Sequence, residues 1–199
     1  WFDNAAGGYD VRLQRLSATG VELWPHNGVL VADRNLSSTT DYGLSVDTAG
    51  NALLAFNDDS EAFERIVAAK ISPDGLAIWG TPGIAVSTST GFLASPRIAG
   101  TDDGDVVVAW FQVSDTVLQR LDPAGAKLWA TDGLVLAHSG DTFVVADLQA
   151  TGANGGLDTG NVIVSWVRYV TFAGAKHLWA QKLDPDGLPL WGAGHKQVF

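Results

Sequence analysis

One nine-residue pattern occurs four times in this chain and limits what the chain can fold into. Aligned on a turn glycine, the copies are Leu16-Ser-Ala-Thr-Gly20-Val-Glu-Leu-Trp24, Ile71-Ser-Pro-Asp-Gly75-Leu-Ala-Ile-Trp79, Leu121-Asp-Pro-Ala-Gly125-Ala-Lys-Leu-Trp129 and Leu183-Asp-Pro-Asp-Gly187-Leu-Pro-Leu-Trp191. A period of this size signals stacked copies of one supersecondary unit. The four indoles are 55, 50 and 62 residues apart, so the unit is constant while its loops vary. A second register runs in step: Phe56, Trp110 and Trp166 each follow a glycine (Gly50, Gly104, Gly160) by six residues. Trp1 stands where the same aromatic of a preceding copy falls.

Each unit reads as four short strands. In the third copy these are Pro96-Arg-Ile-Ala99, the apolar run Val106-Val-Val-Ala-Trp110, the mixed run Thr116 to Leu121, and a strand from Ala126 through Trp129 toward Leu136. A strand apolar at every position has both faces buried. Asp-Pro-x-Gly is a hairpin turn, because Pro presets φ and Gly supplies φ > 0. No segment of helical length keeps apolar residues at i, i+3, i+4 and i+7, and β-branched residues and Gly are frequent. The expectation is an all-β, β-propeller-like fold of four-stranded antiparallel blades, each with a buried inner strand and a polar outer pair. The four repeat Trp residues are expected to fill the wedges between blades.

The phase of the repeat places complete blades at 42–90, 92–138 and 142–199 and a half blade at 1–41, which holds only an outer strand pair. About three and a half blades do not close a ring of the usual four to eight. The chain is therefore expected to be one segment of a larger propeller, or one completed by other protein chains or by the missing part of the same polypeptide.

Composition excludes several functions. There are 12 Lys+Arg against 22 Asp+Glu, a net charge of −10, which repels phosphate backbones and anionic lipid, so no nucleic acid is expected as a partner. With no cysteine, disulfides, thiolate catalysis and Cys-ligated metals are excluded. The longest apolar run, Val106 to Phe111, is far short of the ~18 residues that span a bilayer, and no membrane insertion is expected. Methionine is also absent and the first residue is Trp1. Together with the acidic, Gly-rich, Lys-poor composition this points to an exported bacterial protein.

Three stretches carry a resemblance: Trp1-Phe-Asp-Asn-Ala-Ala-Gly-Gly-Tyr-Asp-Val-Arg-Leu-Gln-Arg-Leu16, Leu118-Gln-Arg-Leu-Asp-Pro-Ala-Gly-Ala-Lys-Leu-Trp129 and Thr101-Asp-Asp-Gly-Asp-Val-Val-Val-Ala-Trp110. They resemble repeats of large secreted or surface proteins of environmental bacteria, written loosely as W-x-D, Y-D-[IV]-x-x-Q-R-[LIV], then G-x-x-x-W. The resemblance implies a β-propeller in an extracellular, cell-surface or periplasmic setting and lends no assigned chemistry. Tyr9-Asp10 becomes Glu64-Arg65, Ser114-Asp115 and Lys176-His177 in the other copies, so that dipeptide is not a repeated ligand site. The Leu121 to Trp129 copy is also distantly similar to the tryptophan-docking repeat of quinoprotein dehydrogenases, a similarity that blade docking alone explains; the Cys pair those enzymes place over the quinone is excluded here. The sialidase Asp-box has one residue fewer between Gly and Trp.

Candidate chemistry is thin. The turns Asp47-Thr-Ala-Gly-Asn51, Thr101-Asp-Asp-Gly-Asp105 and Asp158-Thr-Gly-Asn161 carry oxygen ligands suited to Ca²⁺ but lack the spacing of a calcium loop, and read as tight turns. Asn57-Asp-Asp-Ser-Glu61 with Glu64 is the densest carboxylate cluster and reads as a solvated hairpin loop. His26, His138, His177 and His195 show no metal spacing and read as scattered surface residues. No G-x-S-x-G elbow occurs, and no catalytic, cofactor-binding or metal residue is assigned. The expected role is a non-catalytic structural, adhesive or protein-interaction scaffold, with no cofactor. A carbohydrate-binding propeller is the alternative, its candidates being Tyr42, Phe63, Tyr169 and Phe172. A propeller enzyme of quinoprotein or glycosidase type ranks third, since paired carboxylates are recognised only in space.

Overall fold

The computed structural model describes residues 9–33, 41–60, 62–137, 139–152 and 158–199, and the backbone of 2–3. Trp1, Glu61 and His138 lie outside the described residues. The fold is all-β, and its strands are β1 (Phe2–Asp3), β2 (Asp10–Leu13), β3 (Val29–Ala32), β4 (Tyr42–Val46), β5 (Ala52–Asp58), β6 (Arg65–Ile71), β7 (Ile84–Ala85), β8 (Leu93–Gly100), β9 (Val106–Gln112), β10 (Asp115–Leu121), β11 (Leu134–Leu136), β12 (Thr142–Ala150), β13 (Val162–Tyr169), β14 (His177–Leu183) and β15 (Lys196–Gln197). They form four antiparallel, blade-like sheets in chain order: the three-stranded β1-β2-β3, then β4-β5-β6-β7, β8-β9-β10-β11 and β12-β13-β14-β15. Every strand pairs with its sequence neighbour, as short turns between antiparallel strands require. No helix among the described residues is long and apolar enough to cross a membrane.

Three apolar clusters join consecutive sheets. Val11, Leu13 and Val31 of the first sheet meet Leu54 and Phe56 of the second. Leu53, Ala55 and Ile66 meet Ile98, Val108 and Trp110 of the third. Val107, Ala109 and Leu118 meet Phe143, Val145, Leu148 and Trp166 of the fourth. Phe56, Trp110 and Trp166 are completely buried, so the second aromatic register supplies the central filling of each junction. β9 is buried through Val106–Trp110 because it has a sheet on both sides, whereas β13 alternates buried and half-buried positions. The first strands of the four-stranded sheets lie side by side, β4 against β8 and β8 against β12. A Cβ on Gly43 would stand 2.8 Å from the Pro96 carbonyl oxygen, so glycine permits that approach.

The structure corrects three expectations. The fourth strand of the third sheet is only Leu134–Leu136; residues 126–129 touch the sheet through one bridge, Leu121 to Lys127, because the chain turns at Trp129 before rejoining it. The third strands are not polar outer strands. Gln119, Arg120 and Gln181 are essentially buried, since their polar atoms reach partners within the protein. The repeat indoles are not equivalent wedges either: Trp24 and Trp79 are buried, whereas Trp129 and Trp191 are half-buried.

Candidate functional site

The repeated feature with specific polar geometry is a tie between neighbouring sheets. The indole N–H of Trp24 donates to the Pro73 carbonyl at 2.8 Å, that of Trp79 to Pro123 at 3.0 Å and that of Trp129 to Pro185 at 2.9 Å. Each acceptor is the proline of the next sheet's Pro-x-Gly turn. The turn is closed locally: Gly75 N–H donates to Ser72 O at 2.9 Å and Gly125 N–H to Asp122 O at 2.9 Å. Gly75, Gly125 and Gly187 have φ of +84°, +92° and +82°, and a Cβ on them would lie 3.4, 3.2 and 3.3 Å from the docked indole. Glycine is thus required for the left-handed backbone, and at Gly125 and Gly187 a Cβ would also crowd the ring. Trp191 has no such acceptor for its indole N–H among the described residues.

A glutamine ten residues before the indole sets its approach. Gln119 accepts from the Arg120 and Trp129 amides at 2.9 and 3.1 Å and donates to Ala130 O at 2.8 Å. Gln14 and Gln181 repeat this with Trp24 and Trp191. The second sheet has Ala69 at this position. The motif letters Gln-Arg signal this clamp, but only the fold shows what they hold.

The acidic turns considered for calcium are occupied by the protein's own cations. Lys70 pairs with Asp47 at 3.0 Å, Lys182 with Asp158 at 2.5 Å, and Arg120 with Asp103 at 2.6 Å and Asp105 at 2.7 Å. Arg120 also donates to Gly160 O of the fourth sheet at 2.6 Å. Burial pushes the Asp47 carboxyl up, but hydrogen bonds from Asn51 and Lys70 outweigh it and hold the group below its ordinary value. The Lys182 hydrogen bond likewise lowers Asp158. Among the described residues no group of three or more His, Asp or Glu side chains is arranged to hold a metal.

The Asn57–Glu64 cluster is a solvated loop only in part: Ser60, Ala62 and Phe63 are exposed, but its first two residues end β5 inside the protein. Asn57 and Asp58 are fully buried; Asn57 donates to Glu64 at 2.8 Å and Leu93 O at 3.0 Å, and Asp58 pairs with Arg65 at 2.9 Å. His195 is half-buried rather than freely exposed: it packs edge-on against Trp166 with centroids 4.9 Å apart, and burial, then the nearby Arg168 charge, lowers its pKa from 6.5. His26 and His177 are exposed.

The aromatics considered for sugar binding separate. Tyr42, Phe63 and Phe172 are exposed, and Tyr42 and Phe63 line different clefts. Tyr169 lines a cleft of about 360 Å³ in the fourth sheet with Asp141, Arg168, Thr171, His177 and Trp179. Arg168 is held by Asp141 at 2.5 Å and lies over Trp179, 5.0 Å from the ring centroid. The Trp179 indole N–H is buried without a hydrogen-bond partner, and Lys176 caps Tyr169 and Phe172 at 5.5 and 4.7 Å. No such cluster of Arg, Tyr, His and Trp recurs in the other sheets' clefts among the described residues. No family model matches the chain, and no curated protein matches it.

Proposed function

We propose that the chain is a non-catalytic β-propeller-type module of an extracellular or cell-surface bacterial protein, serving as a structural or protein-interaction scaffold. The observation that carries this reading is the indole-to-carbonyl tie repeated at all three sheet junctions. One joint used three times, with charged side chains committed to the protein's own turns, suits a rigid body that presents loops rather than a reactive cleft. Radial arrangement of the sheets around the innermost strands β4, β8 and β12 is part of the proposal, as is completion of the ring by further polypeptide.

The fourth-sheet cleft favours a second reading, a carbohydrate-binding module, because an aromatic wall beside Asp141, Arg168 and His177 is suited to hydroxyl-rich ligands. A glycan array separates the two. The scaffold reading expects no binding that free sugar competes away. Competable binding lost in Tyr169→Ala would replace it with the lectin reading.

A further inference from the structure

We propose that the face of β4 carrying Leu44 is a docking surface for one further antiparallel strand pair, with an apolar face and a carboxylate in its turn, one strand of which continues β1 alongside β2; this rests on the propeller reading. Two independent comparisons between the sheets point to it.

The first is burial at one register position. Leu44 pairs with Leu54, Ile98 with Val108 and Leu148 with Val164. The three partners each lie two residues before the junction aromatic, Phe56, Trp110 or Trp166, so the three innermost-strand residues are equivalent. Ile98 and Leu148 are 5% and 3% exposed because each faces the inner strands of the preceding sheet, whereas Leu44 is 57% exposed. Tyr42 and Val46, on the same face of β4, are exposed as well. Beside them runs an apolar groove of about 320 Å³ lined by Val11, Leu13, Leu16 and Leu54. The preceding sheet meets this face with β2 and β3 and only two residues of β1, Phe2–Asp3, at its edge.

The second is an unmatched charge. Lys70, Arg120 and Lys182 each pair with an Asp in the turn joining the two inner strands of their own sheet. Arg15 holds the same position, one residue before the turn pattern. It donates to Pro73 O at 2.9 Å, and among the described residues it has no ion pair. A strand pair seated on Leu44 in the geometry of the other sheets brings its turn to Arg15, and a carboxylate there completes the set. An apolar, β-branched strand pair would also gain backbone hydrogen bonds along the edge of β2 beyond Val11, where β1 does not reach, the mode by which a strand extends an open sheet edge.

The chain supplies its own probe. Phe2 pairs with Val11 as Phe111 pairs with Thr116, so a copy of residues 92–109 fused ahead of residue 1 continues β1 in register and carries the Asp-Asp-Gly-Asp turn. Because the protein has no cysteine, Leu44→Cys creates a single thiol whose alkylation rate reports coverage; Leu190→Cys, at an exposed site, is the control. We expect the fused chain to alkylate at Cys-substituted position 44 at least tenfold more slowly than the unfused chain, with position 190 unchanged, and Arg15→Met to reverse part of the slowing. Equal rates at position 44, whether or not the fused segment gains hydrogen-exchange protection, overturn the proposal. So does concentration-dependent protection in the unfused chain, which would make a second copy the occupant. The glycan array reads the fourth-sheet cleft and not β4, so either proposal can fail without the other.

Discussion

Arg120 connects two sheets through one side chain. Its guanidinium is 1% exposed and reaches Asp103, Asp105 and the Gly160 carbonyl at once. The guanidinium spreads its donors over three nitrogens held in one plane, each here serving a different acceptor, whereas an ammonium must gather all its acceptors around one nitrogen. Removing one partner of a buried pair leaves the other charge without its counterpart. Arg120→Met should therefore lower the unfolding free energy by about 3 kcal/mol, with Arg120→Lys recovering less than half, as read from urea midpoints. His195 makes the opposite case, a group kept neutral by its surroundings. Its ring packs against Trp166 and Phe143, its Nδ1 lies 3.3 Å from the Gln181 amide nitrogen, and Arg168 is nearby. Since its folded pKa lies below 6.5, the unfolded chain binds the proton more readily. The stability that His195 contributes is thus complete above 6.5 and is lost as pH falls through the depressed value. As pH falls from about 7.5 through 6.5 and below, stability should decline, and His195→Asn should flatten that segment of a urea-midpoint profile. Asn tolerates the φ of +56° found there.

The joint between elements is an indole on one sheet and a proline turn on the next. Trp79 is 9% exposed and donates to Pro123, whereas Trp191 is half-buried and its indole N–H has no acceptor among the described residues. Replacing each with Phe isolates the joint. Trp79→Phe should cost about 1–2 kcal/mol, and Trp191→Phe well under about 0.5 kcal/mol, both measured by chemical denaturation. The strands and their Asp-Pro-x-Gly turns were legible in the sequence because their requirements are local: Pro and Gly preset dihedrals, and the apolar run of β9 announces burial on both faces. The short β11 and the buried third strands were not. Arg120 and Asp103 are 17 residues apart in the chain and Trp79 and Pro123 are 44 apart, so pairing across strands and sheets decides their environment. For the same reason the turn carboxylates read from the sequence as tight turns, with no sign of the Lys70, Arg120 and Lys182 cations that the fold places beside them. Tyr169 stood out in the sequence as an aromatic without any sign of the cleft around it, because Asp141 lies just ahead of β12 and Trp179 on β14, the two strands that flank its own.

At the scale of the whole molecule, the net charge of −10 is distributed unevenly between function and fold. Asp47, Asp58, Asp103, Asp105, Asp141 and Asp158 all engage cations inside the protein, so the excess acid lies with the remaining carboxylates. A surplus of this sign opposes non-specific adhesion to nucleic acid and anionic membranes while leaving apolar docking available. The direction of the indole joints has its own bearing on how the protein is made. Donor always precedes acceptor, by 49, 44 and 56 residues. During synthesis, therefore, each of the first three sheets can be fastened once the next repeat has left the ribosome, and none of these three fastenings requires a later segment to thread back through earlier ones.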